Sequence, residues 1–319
     1  MKETTLGVSQ FINYLEEINL SKSTQKSYLY IVETFLKWVQ KEDIQVTKPD
    51  ILRYLEYLKN RREMQNACRK NYLIVLNHYF THLYKEEIIA SNPCAYLKIR
   101  GKRPKKMCKV YSEQELETLF DNYYNVCVRN FEDNRLHKKA LKEAQLCRER
   151  NAMILSILIN QGATTAEIKK IETGDLDLIK ASLKIRGGKR SNERILPLKA
   201  TQIGLFMHYL QNIRPQFANY QTKENQELFL CLPAISAKTT EGGTILYALQ
   251  ILVQQLKEID KQFLSLVQLR TSVITNWLKA HGLRRTQYLA GHRYVSSTEK
   301  YQCNNLDNLI DDINKLNPF

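Results

Sequence analysis

The sequence predicts a mainly α-helical chain of two domains. The first has four helices, and the second is α+β with a small antiparallel sheet set among helices. Three observations carry this reading. Apolar residues recur at helical spacing through most of the chain. Short strand-like runs occur only between residues 176 and 198. A run of basic residues containing Gly101 and Pro104 divides the chain at 98–110, leaving domains at 1–97 and 111–319. A length of 319 residues is sufficient for two separate cores, and 43% hydrophobic residues exclude an intrinsically disordered chain.

In the first domain, Leu6, Phe11, Tyr14, Leu15 and Ile18 give a helix over 6–19 an apolar face. Ser21 or Ser23 opens a second helix, in which Tyr28, Ile31, Val32, Phe35, Leu36 and Val39 recur. Thr47, Pro49 and Asp50 mark a third start, with Ile51, Tyr54, Leu55 and Leu58 facing inward. A fourth helix runs from about Gln65 to Tyr84.

The second domain opens on Ser112, followed three residues later by Glu115 in a capping-box pattern. The polar stretch from Asn130 to Lys142 is either a long helix or a surface insertion. Ala152 to Ile159 is dense enough in apolar residues to be a buried helix, which ends near Gly162, and a short helix follows at about Thr165. Leu176–Leu178, Leu183–Ile185 and Ile195–Leu198 read as strands, the last two joined through Gly187 and Gly188. Helices follow at 201–213 and 244–259, with mostly loop over 214–243 apart from the apolar LFLCL run.

Lys and Arg number 48 against 33 Asp and Glu, a net charge of +15, so polyanions are the expected partners and nucleic acid the first among them. Over positions 1–110 there are 20 basic and 11 acidic residues, and Lys98, Arg100, Lys102, Arg103, Lys105, Lys106 and Lys109 are concentrated in the linker. Crossing a duplex, these charges would give salt-dependent, sequence-blind affinity. No apolar run is long enough to span a bilayer and no signal peptide is evident at Met1, so no membrane role is expected. Seven scattered cysteines without a CxxC pair read as reduced thiols of a cytoplasmic protein. His78 and His82 lack an acidic or thiol partner nearby and read as packing or surface residues; neither a metal nor a cofactor is expected.

The stretch LRTSVITNWLKAHGLRRTQYLAGHRYVSSTEKY, from Leu269 to Tyr301, places an arginine, a histidine and a tyrosine in an order suited to attack on a phosphate. Breaking a phosphodiester without a metal needs a nucleophile, cations over the non-bridging oxygens, and an acid for the leaving oxygen. Tyr301 supplies the first through a phosphotyrosine, Arg270 is the planar clamp, and Lys189 on a hairpin reaches the leaving oxygen. His292 would position the transferred phosphate or exchange a proton beside it.

These residues resemble those of the tyrosine recombinases, or phage integrases, and especially their Xer-like branch. LRRTQYLAGHRYVSSTEKY is similar to the family run of Leu-Gly-His, then Thr and the nucleophilic Tyr, with Ala290 in place of leucine. LRTSVITNWL resembles the family's His-x-x-Arg helix, and RGGKRSNERILPL its hairpin ending in Arg-x-Val-Pro-Leu. In that hairpin Lys189 matches the catalytic lysine, with Arg186 and Arg190 as neighbouring alternatives. LSKSTQKSYLYIVETFLKWV, KPDILRYLEYL and ASNPCAYLKIRGKRP are similar to the helical, SAM-like core-binding domain of the family. The resemblance implies site-specific recombination of double-stranded DNA at inverted repeats, as in the integration reactions of mobile elements. Cleavage would pass through a 3′-phosphotyrosine in a homotetramer on two duplexes, with or without a partner recombinase. The C-terminal LDNLIDDINKL, with Leu306, Leu309, Ile310, Ile313 and Leu316 at helical spacing, would pack in its own subunit or dock on a neighbour.

Two positions depart from the family. Its Gly-Leu-Arg-x-Ser-Glu-Leu is GATTAEI here, so the first clamp arginine falls on Thr164, while Glu167 and Ile168 fit. Its His-x-x-Arg histidine falls on Val267. Losing a phosphate-clamping arginine costs roughly 10²-fold or more in rate. Arg148 and Arg150 lie about four turns earlier, too far away to replace it. The alternative function is therefore a recombinase-like DNA-binding or helper protein without strand cleavage.

Overall fold

The computed structural model describes residues 6–101, 109–132, 138–188, 191–222, 225–233 and 243–302. The chain divides into two compact units, Met1–Lys106 and Met107–Phe319.

In the first unit, α1 (Leu6–Glu17), α2 (Lys22–Val39), α3 (Lys48–Asn60) and α4 (Asn66–Lys85) enclose one core. Ser21 caps α2, its hydroxyl accepting from Thr24 N at 3.2 Å. Phe11, Val32, Phe35, Tyr54, Tyr79 and Phe80 are fully buried, and the edge-to-face pairs Phe11–Tyr79 and Phe35–Tyr54 have centroids 5.1 and 5.0 Å apart. Val8, Phe11 and Leu15 form the inner stripe of α1. Ile18 does not join it: the helix ends at Glu17, and the side chain is exposed. His82 is buried against the ring of Tyr14, as a packing residue.

In the second unit, α5 (Glu113–Tyr123) starts on the Ser112–Glu115 box, Ser112 N donating to Glu115 Oε2 at 2.8 Å. It widens into a π-type turn at Tyr124–Arg129. Of the polar stretch that follows, residues 133–137 lie outside the described residues. Residues 130–132 are not helical, whereas α6 (Lys138–Asn160) takes in its end and continues into the buried Ala152–Ile159 segment. After α7 (Thr165–Ile168) come strands β1 (Leu176–Asp177), β2 (Ser182–Ile185) and β3 (Arg194–Pro197), antiparallel in the order β1-β2-β3. Leu183 lies opposite Leu196, and Ile185 opposite Arg194. Strand alternation turns Arg194 and Leu196 to the buried side and Ile195 outward.

Helix α8 (Ala200–His208) widens at Tyr209–Ile213 and continues as α9 (Arg214–Ala218), where a loop was expected. Pro215 sits in the first turn of α9, where its missing N–H costs nothing, and Phe217 is buried. The apolar LFLCL run contributes buried Leu228, Phe229 and Leu230 without forming a strand. Thr244 caps α10 (Ile245–Ile259). Helix α11 (Leu266–Ala290) changes direction at Gly282, whose φ is 72°, and ends on Gly291, whose φ is 67°. The short α12 (Val295–Glu299) carries the chain to Tyr301.

Asp50 is the polar centre of the first unit. Its buried carboxylate accepts from Thr47 N at 2.9 Å, Thr47 Oγ1 at 2.7 Å and Lys41 Nζ at 2.9 Å, and it pairs with Arg53 at 2.5 Å. Burial raises its proton affinity, but these donors together outweigh burial and hold it below the usual carboxylate range. The stability this contributes is present above about pH 4 and lost as pH falls through the depressed value. Asp50→Asn should lower unfolding free energy by about 1–3 kcal/mol at neutral pH. In urea melts from pH 7 to pH 3, the difference from the unsubstituted chain should shrink as the medium becomes acidic.

Candidate active site at the ends of helix α11

Arg270 lies in the second turn of α11, bracketed by buried Leu269 and Val273. Its Nη1 donates to the carbonyl of Gly162, and its Nη2 to the carbonyl of Ala290 at 2.8 Å. Both carbonyls belong to chain reversals. Gly162, at φ 55°, ends the α6 segment, and a Cβ there would stand 3.1 Å from Val273 Cγ1. Burial holds the Arg270 guanidinium below its ordinary value and Arg194 adds to that, while the Glu167 carboxylate and the Tyr301 phenol oppose it. It remains a cation, since a guanidinium does not deprotonate in proteins.

Gly291 turns the chain at the far end of α11 and presents His292 to the same guanidinium. Arg270 Nη2 lies 3.3 Å from His292 Nε2, and His292 Nδ1 lies 2.9 Å from the buried Thr298 hydroxyl. A guanidinium only donates, so Nε2 is the acceptor and the proton resides on Nδ1, pointing to Thr298. Burial, Arg270 and Arg194 together push the imidazole down to about 4, so it is neutral at pH 7. The ring of Tyr301 stacks on this imidazole, with centroids 5.8 Å apart and planes 18° from parallel. Tyr301 N donates to Thr298 O at 3.0 Å, which fixes the last turn of backbone.

Beneath Arg270 lies Glu167, in the first turn of α7. Its carboxylate accepts from Thr164 N at 2.8 Å and Thr164 Oγ1 at 3.0 Å, and stands 3.8 Å from Arg270 Nη1. Arg194, wholly buried on β3, forks onto it with Nη1 at 2.7 Å and Nη2 at 3.2 Å. Thr164 is the N-cap of α7, both of its groups engaged with Glu167. Val267 is 72% exposed on the first turn of α11.

Arg270, His292 and Tyr301 thus form one cluster. Lys189 and Arg190 lie outside the described residues, as do Lys102, Arg103, Lys105, Lys106 and the 303–319 segment with its apolar residues at helical spacing. Arg186 is no free cation: it pairs with Glu172 at 2.5 Å and Asp175 at 3.0 Å. Arg150 is buried and donates to Leu230 O at 3.1 Å, and Arg148 covers the ring of Phe131, so neither enters the cluster. Lys98 and Arg100 are exposed, and Lys109 pairs with Glu115 at 2.7 Å. Among the described residues no group of three or more His, Cys, Asp or Glu is placed to hold a metal ion, and no helix is long and apolar enough to cross a membrane.

Sequence reasoning gave no role to Arg194 or Thr298, and quoted Glu167 only as a motif match. Arg194 had a signal. In RILPL, Leu196 and Leu198 are the inward positions of a strand, and a period of two places Arg194 on the same buried face.

Comparison with known proteins places the chain in a family. The family model "Phage integrase family" matches residues 127–307, and "Phage integrase, N-terminal SAM-like domain" matches residues 8–90. The tyrosine recombinase XerC of Listeria welshimeri is 28% identical over 298 residues, covering 92% of this chain and 91% of that protein. The XerH site-specific recombinase, solved with a palindromic difH substrate after cleavage, superposes with a TM-score of 0.64 at 17% identity, covering 94% of this chain and 83% of that one. A lambda integrase dimer on a COC′ core site gives 0.59 at 11% identity, covering 93% and 94%. At these identities the structures show the shared fold, mainly helical with a small antiparallel sheet. By the model that matches more than half of its length, the chain belongs to the phage integrase family of tyrosine recombinases, on its Xer-like branch.

Proposed function

We propose that this chain is a site-specific DNA recombinase that cuts and rejoins double-stranded DNA through a 3′-phosphotyrosine on Tyr301. The observation that carries the reading is the contact chain Arg270–His292–Tyr301, which gathers the clamp from the second turn of α11 and an imidazole and the phenol from the segment after its end. Arg270 would hold the non-bridging oxygens of the scissile phosphate, and His292 Nε2 would share them or take up the phenolic proton. The Tyr301 oxygen forms its bond to phosphorus as the bond to the 5′ oxygen breaks, and Lys189 protonates that leaving oxygen. Attack by the 5′-hydroxyl of another strand reverses these steps. The phosphodiester energy is kept in the phosphotyrosine, so no nucleotide hydrolysis is needed.

In this reading residues 1–97 are a core-binding domain, residues 111–319 carry out the reaction, and the cations of 98–110 lie along the DNA backbone. The DNA site is an inverted repeat, the working assembly a homotetramer, with or without a partner recombinase, and the compartment the cytoplasm. Thr164 and Val267 are positions where this chain has lost catalytic groups. Thr164 favours the second reading, a DNA-binding helper that has lost cleavage, because its hydroxyl is committed to Glu167 and offers no cation to the phosphate.

On a nicked suicide site under denaturing conditions, the intact chain should give a covalent protein–DNA band. Tyr301→Phe should abolish it with DNA affinity within about threefold, and Arg270→Ala should slow it by roughly 10²-fold or more. DNA binding without a band from the intact chain would establish the helper reading instead.

Thr164→Arg should raise the cleavage rate while lowering stability by about 1 kcal/mol through loss of the cap. A rate equal to that of the unsubstituted chain would place the clamp elsewhere.

Because His292 acts as a neutral base, the second-order rate of covalent complex formation should be flat from pH 8 to pH 6 and fall on an acid limb near its value of about 4. A limb at the ordinary imidazole value of about 6.5 would show that His292 does not govern it.

A further inference from the structure

Arg194 is the one guanidinium of the cluster that faces no solvent. It lies on the core face of β3, and every hydrogen bond described for it goes to Glu167. Its Nε is buried and has no partner among the described residues. A Cβ at Gly291 would collide with Arg194 Nη1, so a glycine at the end of α11 is what admits the guanidinium under the His292 turn. The same hairpin is tied to that turn through its backbone, Asn192 N donating to Gly291 O at 2.9 Å and Ser191 bridging to His292. Glu167 therefore touches three things at once: Arg194 from the sheet, Thr164 at the start of α7, and the underside of Arg270.

We infer that Arg194 is a positioning residue for strand cleavage: it fixes the Glu167 carboxylate under Arg270 and the hairpin against the Gly291–His292 turn, so that clamp and imidazole keep one geometry. The inference rests on the cleavage reading given above. It has a particular force in this chain, where position 164 supplies a threonine and, among the described residues, only Arg194 brings a second guanidinium to Glu167. Arg194 does not touch the phosphate. Its effect passes through Glu167 by geometry and through its charge by field.

The two routes separate by substitution. The charged groups facing His292 among the described residues are Arg270 on α11, Arg194 on β3, Glu167 on α7 and Lys300 after α12, with the Tyr301 phenol stacked on its ring. Arg194→Lys keeps the cation and loses the two-pronged fork. Arg194→Gln loses both, which leaves Glu167 less neutralised and makes protonation of His292 easier.

The experiment is single-turnover formation of the covalent complex on a suicide site across pH 4–8, with DNA affinity measured in parallel by anisotropy. The expected result for Arg194→Lys is a 10- to 100-fold slower rate, affinity within threefold and an acid limb that does not move. For Arg194→Gln a similar loss is expected, with the acid limb displaced upward by about one pH unit. Since a buried guanidinium is being removed, the double variant Arg194→Met with Glu167→Met is the companion. It deletes both charges together in an apolar form that buried ion pairs tolerate, and should bind DNA yet cleave at least tenfold more slowly. Wild-type rates and an unmoved acid limb in Arg194→Lys and Arg194→Gln, or a wild-type rate in the double variant, would overturn the positioning role alone. Absence of a covalent band from the intact chain would instead sink the cleavage reading, and the positioning role with it.

Discussion

The site depends on one buried carboxylate. Glu167 receives hydrogen bonds from the Thr164 backbone and hydroxyl and from both arms of Arg194, and it stands within ion-pair distance of Arg270. Removing a carboxylate from water costs several kcal/mol even after relaxation, so such a group persists only where its lone pairs are filled. Here they are filled, and burial, though it is the largest influence, is outweighed by Arg194, Thr164 and Arg270, which together hold the carboxyl below its usual range. Two guanidiniums on one carboxylate leave a net positive charge in a largely desolvated place. That is the electrostatic condition for receiving a phosphate.

Backbone turns do the aiming. Arg270 reaches across to two carbonyls released by helix ends, Gly162 after α6 and Ala290 at the end of α11. Terminal carbonyls have no partner within their own helix, and each of these ends is followed or formed by a glycine in left-handed backbone. The Arg270 guanidinium thereby satisfies carbonyls that would otherwise be orphaned. Its orientation is set by covalent geometry of the main chain, which varies far less than a side-chain rotamer.

Much of this was legible in residue order, for reasons that can be stated. The helix start at Thr47 and the capping box at Ser112 are local chemistry, and local chemistry survives folding; the box at Thr164 was not read. The strands expected at 183–185 and 195–198 fall at 182–185 and 194–197, each starting one residue earlier. The Arg270, His292 and Tyr301 trio is compressed into 32 residues of one motif, so a linear reading captured it. Arg194 was quoted inside a motif and given no role, because a strand arginine gains its meaning only from what lies across the fold, here Glu167. The helix Arg214–Ala218 was missed for a different reason: a proline in a first helical turn looks like a breaker in sequence and is neutral in structure. Ile18 was overcounted since periodicity continues past the point at which α1 stops.

The neutral imidazole follows from the same carboxylate and its surroundings. Its Nε2 faces a permanent donor and its Nδ1 a threonine hydroxyl that is completely buried, so the tautomer is settled by partners that cannot exchange roles with solvent. A second positive charge at His292 would sit beside two guanidiniums against a single carboxylate, and both the field and burial oppose it. A bound phosphate would alter that balance, because its negative charge would ease protonation of His292. The proton inventory of the site is thus coupled to the arrival of a polyanion. On the cleavage reading, an imidazole that is neutral at pH 7 and made more basic by a seated phosphate is able to take up the Tyr301 phenolic proton.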